Sequence, residues 1–146
     1  LVLIRAKHIN EKYQQIIKKA KVGSSCHHNG PCIPGTRRLF VNAQGYLFPC
    51  ERVSETSPIM QIGNVEEGFD EEKAKMLLNV GKVTEDLCKK CWALLHCNQC
   101  AQRADAKDHL SREIKIKYCP DSRKEAYFSL KEICVLRELG CRFERI

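Results

Sequence analysis

The chain has 146 residues, 43% of them hydrophobic and 29% charged, with Lys+Arg 25 against Asp+Glu 18. That is apolar material for one domain with a modest core, and it excludes a disordered tail. Apolar runs such as Leu1 to Ile4 and Trp92 to Leu95 fall far short of a bilayer span, and no basic, apolar and small-residue series marks an export signal. The chain therefore reads as cytoplasmic with no membrane partner, and because it opens on Leu1 without a start signal it is expected to be a piece of a longer protein.

Residues 1–22 read as a short apolar run followed by a helix, with Ile9, Tyr13, Ile16, Ile17 and Ala20 at helical spacing and Lys18, Lys19 and Lys21 favouring its C-terminal dipole. Gly23 breaks the pattern and opens the loop Cys26-His27-His28-Asn29-Gly30-Pro31-Cys32-Ile33-Pro34-Gly35, too rich in Gly and Pro for regular structure. Arg38 to Val41 and Tyr46 to Phe48, rich in β formers and separated by Asn42-Ala43-Gln44-Gly45, predict a β-hairpin that ends at Pro49-Cys50. Ile59 to Ile62 reads as a third strand closed by Gly63-Asn64, and a helix containing Met76, Leu77 and Leu78 follows, capped by Asp70 and stopped at Gly81.

Thr84 to Leu87 resembles a helix start, but the cysteine-dense residues after it are expected to wind as tight loops and single turns shaped by a metal. A final helix is predicted from about Asp121 to Leu139, between Pro120 and Gly140, with Ala126, Leu130, Ile133 and Cys134 on one face. The fold class expected is α+β: a small hairpin, cysteine-rich loops and flanking helices organised around metal, with units at 1–22, 23–120 and 121–146.

Ten cysteines, about 7% of residues and several times ordinary usage, make thiol chemistry the place to look. In a reducing compartment clustered cysteines are metal ligands more often than disulfides. The densest run is Cys88-Lys-Lys-Cys91-Trp-Ala-Leu-Leu-His-Cys97-Asn-Gln-Cys100, a C-x2-C-x5-C-x2-C pattern followed by Cys119-Pro120. Two-residue gaps let neighbouring thiolates converge while backbone N–H groups point at sulfur, which suits both tetrahedral zinc and an iron–sulfur cube. The short gap between Cys91 and Cys97 favours the cube, because zinc modules usually space their ligand pairs by about twelve residues or more. Upstream, Cys26, Cys32 and Cys50 need one more partner, and Cys100 could supply it. The formal charge of +7 does not require a nucleic-acid partner, since two four-iron clusters of about −2 each would lower it to roughly +3.

This pattern resembles the SPASM domain, the C-terminal auxiliary domain of many radical SAM enzymes that modify ribosomally made peptides and proteins. Cys32, Gly45 and Cys50 match its first motif, Cys88, Cys91 and Cys97 its second, and Cys119 its last cysteine; the Cys97 to Cys100 gap is one residue shorter than in the family. The likeness covers roughly residues 23 to 120, and the stretches Arg37 to Val41, Cys50 to Glu55 and Ile62 to Asp70 look most similar to maturases of cysteine-rich or thioether peptides. The resemblance implies two auxiliary 4Fe-4S clusters, the first held by Cys26, Cys32, Cys50 and Cys100 and the second by Cys88, Cys91, Cys97 and Cys119. It also implies an upstream radical SAM barrel that binds S-adenosylmethionine and to which residues 1–22 would lead, a peptide or protein substrate, and a reductant such as a flavodoxin or ferredoxin. Zinc could occupy the same thiols.

The family's C-x3-C-x2-C triplet, which cleaves S-adenosylmethionine, does not occur in these 146 residues, and no hydrolase triad, phosphate loop or metal-hydrolase motif replaces it. The implied role is support: accepting an electron or positioning a peptide beside the radical domain. A zinc-stabilised interaction module is the second reading, and a free-standing two-cluster electron carrier the third.

The remaining candidates have plainer expectations. Cys134 reads as a small core hydrophobe and Cys141 as structural or idle. His27, His28 and His96 are expected to face solvent or hydrogen-bond a sulfur, and Trp92, Phe40 and Phe48 to cover a cluster. Arg37, Arg38 and Arg52 are expected to pair with Glu51 or Glu55 or with water. Removing metal should loosen 23–50 and 84–119, whose ligands sit in loops with little apolar content.

Overall fold

The computed structural model describes residues 2–17, 30, 32–36 and 38–143. It is a mixture of helices and two small antiparallel hairpins, an α+β arrangement. Helix α1, Val2–Ile17, runs from the start. The apolar residues Val2 to Ile4 are thus helical instead of preceding the helix; strand propensity needs a neighbouring strand to be realised, and among the described residues none pairs with them. Residues 18–22 lie outside the described residues.

Strands β1, Phe40–Val41, and β2, Leu47–Phe48, form the predicted hairpin, pairing Phe40 with Phe48 and Val41 with Leu47. Asn42 builds its turn: the side-chain Oδ1 accepts the N–H groups of Gln44 and Tyr46, and the carbonyl accepts from Gly45, whose φ of 83° needs glycine. The expected strand at Ile59 to Ile62 is not formed. Pro58, with a fixed φ and no N–H, starts a 3-10 turn at Pro58–Met60 instead.

Strand pairing begins two residues later, as β3, Gly63–Asn64, folds back on β4, Gly68–Phe69. This hairpin depends on Gly63, where a Cβ would stand 2.1 Å from the Gly68 carbonyl oxygen. Ile62 joins the two hairpins, donating to the Leu47 carbonyl at 2.8 Å and accepting from Asp70 N–H at 2.8 Å.

Helix α2, Glu71–Leu78, is capped as expected by Asp70, whose carboxylate accepts from the Lys73 N–H at 2.9 Å. It stops at Asn79 and not at Gly81, because the Asn79 side chain takes the Lys75 carbonyl at 2.8 Å and the chain tightens into a 3-10 turn over Val80–Thr84. Leu47, Phe48, Met60, Ile62, Ala74, Leu77, Val80, Ala101 and Ala104 make the core between these elements.

The cysteine-rich segment contains one helical turn, α3 (Glu85–Cys88), and 3-10 turns at Leu94–His96 and Ala101–Ala104. Next comes a helix that the periodicity did not predict, α4 (Arg112–Lys117), capped by the Ser111 hydroxyl accepting from Ile114 N–H at 3.2 Å. Helix α5 spans Cys119–Glu138 and so begins before Asp121: Pro120 sits inside its first turn, where no N–H is needed. Helix α1 docks on α5 and the residues after it, through Lys12 to Ser129 at 2.9 Å and the stacked rings of Tyr13 and Phe143 at 4.4 Å. No described helix is long and apolar enough to cross a membrane.

Candidate functional site

Two cavities have cysteine walls. Cys32, Cys50 and Cys100 line the first, of about 250 Å³, together with Pro34, Leu77 and Ala101. Each thiol arrives on a different segment. The Gly30 N–H ties the first loop to the Leu78 carbonyl at 3.1 Å, Cys50 follows β2 through the buried Pro49, and Cys100 opens the Ala101–Ala104 turn, its carbonyl accepting from Arg103 N–H at 3.0 Å. Arg38 and Arg52 also line this cavity, and both pair with Glu51, at 2.7 and 3.8 Å, as exposed hairpin arginines were expected to do. Cys26, His27, His28 and Arg37 lie outside the described residues.

Cys88, Cys91, Cys97 and Cys119 line the second cavity, of about 190 Å³. Three come from one local stretch, in which Cys91 N–H donates to the Cys88 carbonyl at 3.0 Å and Leu94 N–H to the Cys91 carbonyl at 3.1 Å. Cys119 enters from the first turn of α5. Arg112 braces the two sides, gripping Asp86 through both guanidinium nitrogens at 2.6 and 2.8 Å and the Val83 carbonyl at 3.0 Å. The guanidinium holds the Asp86 carboxyl down at about 2, from a usual 3.8.

Donors surround the sulfurs of this second set. Burial pushes the Cys97 thiol up from its ordinary value, and the backbone N–H of Gln99 and the charge of Lys115 oppose it. Gln99, 3% exposed, also turns its amide Nε2 to Cys119 Sγ at 3.7 Å, and Thr84 Oγ1 lies 3.3 Å from Cys88 Sγ. Lys115, 1% exposed, donates to Thr84 Oγ1 at 3.0 Å. Sequence reasoning anticipated N–H groups aimed at sulfur but missed Thr84 and Lys115. A lysine between Ile114 and Ile116 carries no sign of burial until α4 is packed against the Val80–Thr84 turn.

Several single-residue expectations change. Trp92 is 58% exposed, and the second cavity is covered instead by Ala93 and Leu94, because the turn at Leu94–His96 directs these two inward. Phe48 is buried in the core with Phe40 beside it, 6.1 Å between ring centroids. Cys134 is exposed and does not serve the core; Ala126 and Ile133 form the buried face of α5, and Cys134 is turned away from it. Cys141 is exposed as well. His96 is half-buried beside Cys97 but does not line the cavity, and burial followed by the charge of Lys12 lowers its pKa. A third depression, about 580 Å³ beside α2, has Glu72, Lys75, Lys82 and Glu85 in its walls and no thiol.

As the side chains stand, no group of three or more His, Cys, Asp or Glu among the described residues is placed to hold a metal ion. The donor sets nonetheless fit an anionic, thiolate-bound group of several atoms. Each cavity is several times the roughly 30 Å³ that one water occupies in the liquid. Apart from the thiols, every ionisable lining residue is a cation: Arg38 and Arg52 in the first, Lys90, Lys115 and Arg123 in the second. Comparison with protein-family models, with curated proteins and with solved structures finds no match.

Proposed function

We propose that this chain is a two-cluster auxiliary domain of the SPASM type, working beside a radical SAM barrel that modifies a ribosomally made peptide or protein. The observation that carries the reading is the partition of the thiols. Cys88, Cys91, Cys97 and Cys119 line one cavity and Cys32, Cys50 and Cys100 another, and these fall into the two sets that the family resemblance implies, which adds Cys26 to the first. The finer fold assignment, an α+β unit organised around two metal centres, rests on the same partition.

Bound there, 4Fe-4S clusters would supply one-electron acceptors. The chain's own residues would set how easily an electron enters. Cationic walls and the donors on Cys88, Cys97 and Cys119 stabilise added negative charge, and the buried Ala93 and Leu94 keep water from one side. Arg38 and Arg52, both paired with Glu51, add positive charge to the wall of the first cavity.

Anaerobic reconstitution with iron and sulfide, followed by a redox titration read by visible absorption and electron paramagnetic resonance, tests the reading. Two reversible one-electron reductions per chain are expected. A colourless, redox-silent protein saturated with zinc would replace the reading with a zinc-stabilised interaction module, since zinc also accepts four-thiolate sets.

A further inference from the structure

Lys115 is 1% exposed, yet no carboxylate lies within ion-pairing reach of it among the described residues. Burying an ammonium costs several kcal/mol unless an opposite charge and hydrogen bonds compensate it. Its described hydrogen bond is to Thr84 Oγ1, at 3.0 Å, and Thr84 is itself buried, with its oxygen 3.3 Å from Cys88 Sγ. Lysine has no acceptor, so it donates to the hydroxyl oxygen, and the one hydroxyl proton is then shared between two acceptors, the Gly81 carbonyl at 3.4 Å and the Cys88 sulfur, of which a thiolate is the stronger. An ammonium pulling on that oxygen makes the hydroxyl a stronger donor. On its other side Lys115 lines the cavity of the four thiols, no acidic side chain lines that cavity, and its charge is felt at Cys97.

We infer that Lys115, relayed through Thr84 to Cys88, is the built-in counter-charge of the second thiolate centre, a positioning residue that raises both metal retention and reduction potential there. The inference rests on the reading that Cys88, Cys91, Cys97 and Cys119 bind metal, but it holds for any anionic four-thiolate centre. In the metal-free chain the lysine has the Thr84 hydroxyl but no carboxylate partner among the described residues, and loading the centre supplies a counter-charge. Added electrons make a cluster more negative, so a fixed cation beside it favours reduction.

The test uses the full chain carrying Cys32→Ala and Cys50→Ala, so that only the second set loads, first with zinc alone and separately with iron and sulfide. Lys115→Gln keeps a donor for Thr84 and removes the charge, whereas Thr84→Val keeps the charge and breaks the relay. In chelator competition Lys115→Gln should release zinc about 10–100-fold more readily, and Thr84→Val should move the same way by less. In iron-loaded protein titrated with dithionite, both variants should reduce at more negative potentials. Lys115→Met should raise the melting temperature of the metal-free protein, a change that a purely supportive lysine would not produce. Unchanged zinc retention and potential in Lys115→Gln or Thr84→Val, whichever folds by circular dichroism, overturn the inference. Iron and sulfide counts on the same samples decide the functional reading separately, since a protein that takes only zinc loses that reading and still reports on Lys115.

Discussion

The two thiol-lined cavities are built in opposite ways. The first gathers Cys32, Cys50 and Cys100 from a loop, the end of a hairpin and a turn 50 residues further on, and leans on the apolar core through Leu77 and Ala101. Cys88, Cys91 and Cys97 of the second come from one short stretch, joined by the start of α5, and its polar lining includes a buried lysine and amide. One site is held by tertiary packing and opens toward exposed arginines; the other is held by local turns and by donors around its sulfurs. The lesson is that neither cavity draws on the other's thiols, so each should fail separately, and for different reasons.

Removing one thiol has the largest expected effect. Cys91→Ala or Cys97→Ala should halve the iron per chain and leave the first centre, and Cys50→Ala should do the reverse, as read by iron analysis and electron paramagnetic resonance. Loss of both centres from either substitution would break the comparison.

Next comes the core under the first site. Phe48 is 1% exposed and sits two residues before Cys50, so Phe48→Ala should destabilise the chain by about 3–5 kcal/mol. Urea unfolding measures it, and iron loss should begin at the first centre.

A smaller change reaches the second site alone. Ser111 caps α4, and Ser111→Ala should cost about 0.5–2 kcal/mol, with faster amide exchange over residues 112–117 than over the hairpins. The smallest effect is an acid dependence. Glu113, in the first turn of α4, is held below its usual 4.5 by the N-terminal backbone N–H and the Ser111 hydroxyl. A lowered carboxyl stabilises the fold above its ordinary pKa and stops doing so as pH falls below it. Glu113→Gln should therefore weaken the metal-free chain near neutrality and converge with the native protein as pH drops below about 4.5.

How much of this was legible in the sequence follows the same division. Spacing pointed to the dense run from Cys88 to Cys100 and to Cys100 as a partner for the upstream thiols, and the family resemblance added Cys119; Gly45 and Asn42 announced the first hairpin and Asp70 announced α2, because turn and cap are local requirements. The second hairpin was read as a strand end, since what forms it is the close approach of the Gly68 carbonyl to Gly63, a contact with no hydrophobic pattern. Trp92 misled because residue type suggested burial and the turn geometry decided otherwise, and Cys134 because the spacing put it on the apolar face of α5 whereas the buried face carries Ala126 and Ile133. Lys115 was invisible: only the packing of α4 on the Val80–Thr84 turn takes its ammonium out of water.

The central claim is that both thiol sets hold multi-iron centres. Iron, acid-labile sulfide and zinc counted per chain after anaerobic loading test it most directly. About eight irons with eight sulfides and no zinc are predicted, the content of two 4Fe-4S clusters. Stoichiometric zinc that iron does not displace, with no sulfide, would contradict it.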